Sequence, residues 1–229
     1  MLKVENIHVA YGQSEALHGI SFHGNRNETV AIMGRNGMGK TTLFKALIGI
    51  LPTRSGAVRV DGVDITGMPS HRRVAHGIAY VPQGRMIFPT LTVKENIETG
   101  LQAGTNRFIP DEIYALFPVL YDMRKRKGGN LSGGQQQQLA IARALVADPK
   151  VLLLDEPTEG IQPSIIKDIA AVLNEIRKLR GITIIVSEQV LHFALEVADR
   201  IAVIERGAFS YQAPRESVDV QRIGALLAV

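Results

Sequence analysis

The run Gly34-Arg35-Asn36-Gly37-Met38-Gly39-Lys40-Thr41 has the residue types and spacing to hold a phosphate. It fits G-x-x-x-x-G-K-[ST], directly after a β-rich run and directly before a helical pattern, the context that this motif requires. Its glycines let successive backbone N–H groups curl around an anion, and the helix N-terminus adds the positive end of its dipole. In that arrangement Lys40 reaches β- and γ-phosphates and the Thr41 hydroxyl ligates Mg2+. Thr42 is placed to touch an α-phosphate. The segment is expected to bind a nucleotide.

A second constellation lies downstream, where Val151-Leu-Leu-Leu154 runs straight into Asp155 and Glu156. A buried strand ending in two carboxylates presents them at its carboxyl end, where α/β folds place ligands. Asp155 is suited to holding Mg2+, directly or through water, and Glu156 to orienting and deprotonating an attacking water. Asp-Glu before Pro157 would by itself make an ordinary turn; the phosphate loop upstream gives the pair something to act on.

The third is Leu131-Ser132-Gly133-Gly134-Gln135, at the start of an amphipathic helix. Ser132 and Gln135 satisfy the S-x-x-Q capping box, which requires no glycine. Gly133 and Gly134 remove side chains where a backbone could approach a ligand closely, making a second anion-binding helix terminus.

These groups need a scaffold. Residues 2–11 alternate apolar and polar positions as a strand does, and 16–22 do so less cleanly. Strand-like runs follow at 29–33, 57–60, 78–81, 151–154, 182–186 and 201–205, with a helix over 40–48 that Gly49 and Pro52 stop. In one later helix Leu139, Ala142 and Leu145 share a face; in another Ile165, Ile169, Val172, Ile176 and Leu179 do, ended by Gly181. Buried strands alternating with helices indicate an α/β core with a mainly parallel sheet, to which the early strands are an antiparallel addition. Residues 84 to about 147, with a loop over 100–110 and the basic run Arg124-Lys-Arg-Lys127, read as an inserted helical subdomain in a core of 1–83 and 148–229.

Composition agrees with one domain of 229 residues that is 45% hydrophobic and 5% aromatic. Intrinsic disorder is excluded by that apolar content. The absence of cysteine excludes a disulfide scaffold, a thiolate metal site and a cysteine nucleophile. The six histidines lack metal-ligand spacing and read as structural or surface residues. A net charge of +4 is compatible with a phosphate-bearing ligand or an anionic membrane face. The apolar runs are strand-sized, so any membrane role is expected to come through a partner.

Together, the phosphate loop and Leu131-Ser-Gly-Gly-Gln135 resemble the P-loop NTPase cassette of ABC transporters, the latter segment matching the signature of that family. The resemblance implies an ATPase whose cofactors are ATP and Mg2+. It places Tyr11 where the family stacks an aromatic on adenine. Gln83, in Tyr80-Val-Pro-Gln83, stands where the family's glutamine contacts Mg2+ and the attacking water and faces the membrane subunit. Two cassettes in that family form a head-to-tail dimer, so Ser132, Gly133, Gly134 and Gln135 are implied to serve the partner's ATP. The sequence departs from the pattern twice: Gln189 replaces the usual switch histidine, and Gln162 replaces the usual aspartate of the loop after Glu159. Glutamine can hydrogen-bond a γ-phosphate but cannot become a cation, so hydrolysis at this site is expected to be altered. In these details the chain is similar to cassettes of branched-chain amino acid and urea importers, most of all to the urea type. That implies a second cassette, two membrane permease subunits, a solute-binding protein and a place at the cytoplasmic face of the inner membrane. Residues 85–88, beside Gln83, are expected to form an apolar, basic-rimmed groove for the permease. A soluble relative acting on nucleic acid would use the basic run, but the 47 residues between Gln83 and Leu131 leave no room for a long coiled-coil insertion, and no nucleic-acid partner is expected. A GTPase is disfavoured by the lack of an Asn-Lys-x-Asp motif.

Overall fold

A computed structural model describes residues 1–101 and 108–228. Most of the loop expected over 100–110 therefore lies outside the described residues. The chain opens with β1 (Leu2–Tyr11) and β2 (Ser14–Gly24), an antiparallel pair, followed by β3 (Thr29–Met33) and α1 (Lys40–Ile48). Next come β4 (Ser55–Val60), β5 (Val63–Asp64), α2 (Ser70–Ala75) and β6 (Ile78–Val81). Four helices precede the next strand: α3 (Val93–Glu98), α4 (Asp111–Leu116), α5 (Pro118–Asp122) and α6 (Gly133–Leu145). The remainder is β7 (Val151–Asp155), α7 (Pro163–Arg180), β8 (Thr183–Glu188), α8 (Leu191–Val197), β9 (Arg200–Glu205), β10 (Ala208–Pro214) and α9 (Val220–Leu227).

Two sheets result. One is a four-stranded antiparallel sheet in the order β2-β1-β4-β5; the other has six strands in the order β10-β9-β3-β8-β7-β6. Within the larger sheet β9, β3, β8, β7 and β6 pair in parallel, and β10 closes the edge antiparallel to β9. Both of its faces are covered, so its strands read as continuous apolar runs. Ala31, Met33, Leu152, Leu154, Ile184 and Val186 point into one core with α6, α7 and α8. The alternate positions Val30, Ile32, Val151, Leu153 and Ile185 point into a second core shared with α1 and the antiparallel sheet.

One expectation about packing holds in part. Of the apolar stripe read on α7, Ile169 and Ile176 are buried and Ile165 and Val172 pack partly buried against the same core, whereas Leu179 is 62% exposed; Ala170 and Leu173 complete the buried face.

Candidate functional site

The phosphate loop joins β3 to α1, and its glycines have distinct reasons to be there. Gly39 is the N-cap of α1 at φ 111, a conformation closed to most side chains, and no side chain caps the helix. No acidic residue stands in its first turn, so the N–H groups there are left for an anion from outside the chain. A Cβ on Gly34 would lie 2.6 Å from the Ile204 carbonyl oxygen. Met38 ties the loop down: its carbonyl accepts from Gly207 N–H at 3.0 Å, and its sulfur accepts from Arg206 N–H at 3.4 Å. The Met38 side chain and carbonyl therefore anchor the loop.

Buried Lys40 donates to the Gly34 carbonyl at 2.6 Å and the Arg35 carbonyl at 3.0 Å, and pairs with Glu156 Oε1 at 2.9 Å. The expected phosphate-binding lysine and the expected general base thus hold each other. Glu156 adopts φ 48, strained for a residue with a side chain. Its N–H donates to Ser187 Oγ at 3.1 Å. Its carboxylate also accepts from Gln83 Nε2 at 3.3 Å and Gln189 Nε2 at 3.2 Å. Gln83 reaches Glu159 Oε2 at 3.1 Å as well, and Gln189 donates to Asn36 Oδ1 in the phosphate loop at 2.8 Å.

Asp155 is buried beside this group. Its Oδ1 accepts from Ser187 Oγ at 2.6 Å, its Oδ2 from Tyr80 Oη at 3.1 Å, and the Thr41 hydroxyl also lies against it. Burial pushes its carboxyl above the usual range, opposed by these hydrogen bonds and reinforced by the neighbouring Glu156 charge. The Tyr80 phenol is pushed up too, by burial first and then by Asp155. A carboxylate and a hydroxyl side by side are hard oxygen donors, a set that fits Mg2+ completed by water and phosphate oxygens. Tyr11, at the end of β1, is 51% exposed and its hydroxyl lies 3.3 Å from Thr42 Oγ1. Its ring is open to a flat partner above the α1 N-terminus.

Ser132 and Gln135 form the capping box reciprocally at the start of α6. Among the described residues, no hydrogen bond or ion pair links 132–135 to this chain's own phosphate loop. The second glycine has a packing reason that the sequence reading lacked: a Cβ on Gly134 would lie 2.6 Å from Ile165 Cγ2. Gly133 instead faces the Arg85 guanidinium.

Residues 85–88 divide their roles. Arg85 turns away to donate to the Glu159 carbonyl at 2.9 Å, and Ile87 packs onto the core. Met86 and Phe88 are exposed and line a cavity of about 460 Å³ with Leu101, Ala140 and Arg143. The basic rim is Arg143, whose guanidinium lies 5.4 Å from the Phe88 ring centre and donates to the Met86 carbonyl at 2.9 Å.

Tyr80, Ser187 and Arg143 were not among the residues singled out, and Asn36, expected only within the phosphate loop, also holds Gln189. A signal for Ser187 existed: a second buried strand, β8, also ends in polar residues, Ser187-Glu188, with Gln189 next, and its Ser187 stands in register with Asp155. Two neighbouring parallel strands ending in polar groups mark a ligand crevice.

The ABC transporter family matches residues 17–159. The high-affinity branched-chain amino acid transport ATP-binding protein BraG of Pseudomonas aeruginosa is 39% identical over 90% of both chains. A probable branched-chain amino acid transport ATP-binding protein, LivF of Archaeoglobus fulgidus, is 36% identical over 92% of this chain and 91% of its own. Among solved structures, a dimeric ATP-binding cassette in a post-hydrolysis state with ADP and Pi superposes with a TM-score of 0.82 at 26% identity, covering 95% of this chain and all of that one. The chain belongs to the ABC transporter family and is one of its ATP-binding, ATP-hydrolysing subunits.

Proposed function

We propose that this cassette drives import of branched-chain amino acids through a membrane permease. The 39% identity to BraG over nine-tenths of both chains supports that solute. It displaces the urea reading, which the relatives do not support. Nothing in a cassette touches the solute, so the assignment rests on kinship and not on a binding pocket.

For the chemistry, the gathering of Lys40, Gln83, Asp155, Glu156 and Gln189 at one point supports this assignment of roles. The loop 34–39 and Lys40 hold the β- and γ-phosphates, Thr42 sits by the α-phosphate, and Tyr11 stacks on the base. Thr41, Asp155 and Gln83 hold Mg2+, which when bound neutralises phosphate charge. Glu156 takes a proton from the attacking water while Gln83 and Gln189 fix its position. Because 132–135 lie apart from the chain's own loop, they serve ATP held by a second cassette in a head-to-tail dimer. The division into a core of 1–83 and 148–229 and a helical insertion of 84–147 belongs to the same proposal.

No helix among the described residues is long and apolar enough to cross a membrane. The groove at Met86, Phe88 and Arg143 is the face assigned to two permease subunits at the cytoplasmic side of the membrane, with a solute-binding protein completing the importer. The test is uptake of labelled leucine and labelled urea in cells carrying this chain or Lys40→Ala. Selective loss of leucine uptake is expected. Loss of urea uptake alone would restore the urea reading, and no change in either would overturn both solutes. Phe88→Asp should abolish co-purification with the permease; retention would remove the groove from docking.

A further inference from the structure

Glu188, the last residue of β8, has no part in the roles given above, yet it is 2% exposed. Among the described residues no cation pairs with it. A carboxylate so placed is strongly unfavourable unless its lone pairs all find donors. Here they do. Oε1 accepts from the Thr158 N–H at 3.2 Å and from the Thr158 hydroxyl. Oε2 accepts from the Gln189 N–H at 2.7 Å and the Val190 N–H at 3.0 Å.

The two oxygens serve two different loops. Thr158 lies in the loop after β7, two residues beyond Glu156; Gln189 and Val190 begin the loop after β8. A serine or threonine hydroxyl in this position could cap one loop, whereas a carboxylate presents two oxygens with about four acceptor sites and can cap both at once. The two loops also meet directly, where Gln189 Nε2 reaches Glu156 Oε1 at 3.2 Å. Glu156 sits at its strained φ 48, a conformation that persists only where the surroundings over-determine it.

We propose that Glu188 is a positioning residue for hydrolysis, a clamp that sets the distance between Glu156 and Gln189 by tying the loop after β7 to the loop after β8. It touches neither nucleotide nor water and acts through those two side chains. The proposal rests on the assignment of Glu156 and Gln189 to the hydrolytic centre.

Glu188→Gln keeps the shape but turns an NH2 group toward one pair of donors, releasing one loop. In the full chain, kcat for ATP should fall about ten- to a hundredfold, the loss typical of a displacement near 1 Å at a reacting centre. The Kd for ATP should stay within about twofold, because the Glu188 carbonyl that accepts from the Gly34 N–H at 3.3 Å belongs to the backbone and is kept, as is Lys40. In a Gln189→Ala background the same substitution should lower kcat by less than about threefold, since one of the two groups it positions is gone and coupled residues are not additive. Thr158→Val, which removes a single hydroxyl, gives the same pattern in case Glu188→Gln does not fold, and Thr158→Ser should restore wild-type kcat. Equal losses in both backgrounds, or a parallel loss of ATP affinity, would overturn the clamp. If Glu156→Gln and Gln189→Ala each leave kcat unchanged, the hydrolytic centre itself is misassigned and the clamp falls with it.

Discussion

The ion pair between Lys40 and Glu156 leads to a quantitative prediction for Glu156→Gln. The two groups are 2.9 Å apart with side-chain exposures of 3% and 6%, so solvent and salt screen them little. At an effective dielectric of about 20, two unit charges at that separation attract by about 6 kcal/mol before desolvation. The net worth of a hydrogen bond to a charged group is nearer 1.5–3 kcal/mol. Lys40 must leave this pair to meet a phosphate, so wild-type binding loses that amount. In Glu156→Gln the amide competes weakly, while the Gly34 and Arg35 carbonyls still aim the ammonium. The ATP dissociation constant should fall about ten- to 150-fold. The same substitution removes the proposed general base, so turnover should drop by about 10²–10⁴. Calorimetric titration with ATP in EDTA, at concentrations that keep the chain monomeric, measures the first effect, and phosphate release with Mg2+ the second. Unchanged or weaker ATP binding would refute the competition between Glu156 and phosphate for Lys40. Near-normal turnover would remove Glu156 from proton transfer.

Tyr11→Ala should raise the Kd for ATP by about 1–3 kcal/mol, the worth of stacking on a base, with kcat kept at saturating ATP; fluorescent nucleotide titration checks it, and an unchanged Kd would take Tyr11 off the base. Gly134→Ala drives a Cβ to 2.6 Å from Ile165 Cγ2 and should destabilise the fold by about 1–3 kcal/mol in urea denaturation, with Ile165→Ala, which removes Cγ1 and Cγ2, recovering part of the loss. Without that recovery, the contact with Ile165 is not what makes the position a glycine. The Glu112 carboxyl is held below its ordinary value of 4.5, chiefly by its hydrogen bonds from Arg180, at 2.9 and 3.1 Å. A carboxyl lowered by folding adds stability above its unfolded pKa and loses that stability as pH falls through its folded pKa. Glu112→Gln should therefore cost up to about 1 kcal/mol at pH 7, as for a partly exposed pair, and nothing at pH values below the lowered pKa. A difference that persists in acid would mean that packing, and not charge, joins α4 to α7.

The two glutamines that depart from the family pattern have different surroundings. Gln189 is tied to Asn36 and Glu156 at once, so it can report on the phosphate loop and the proposed base without carrying charge. Gln162 stands at the N-cap of α7 and makes no side-chain cap there. Its loop reaches back to the chain's own centre through Glu159, whose carboxylate accepts from Gln83 Nε2 at 3.1 Å.

Local sequence was enough to locate the phosphate loop, the β7 carboxylates, the α6 capping box and most strand positions, because each is written in a short window. A glycine pattern between a strand and a helix, an apolar run before two acids, and Ser132 three residues before Gln135 need no knowledge of distant chain. Tertiary structure alone decided what those groups touch. Lys40 and Glu156 are 116 positions apart in the chain, and they meet because β7 and β3 both flank β8 in one parallel sheet. Tyr80 and Ser187 converge on Asp155 from the strands on either side of β7. The buried face of α7, the side chain that fills the space at Gly134 and the two loops shared by Glu188 depend likewise on partners far away in sequence. Periodicity and motif state which groups a segment offers; only the packing of strands and helices sets which groups from other segments come within hydrogen-bonding reach.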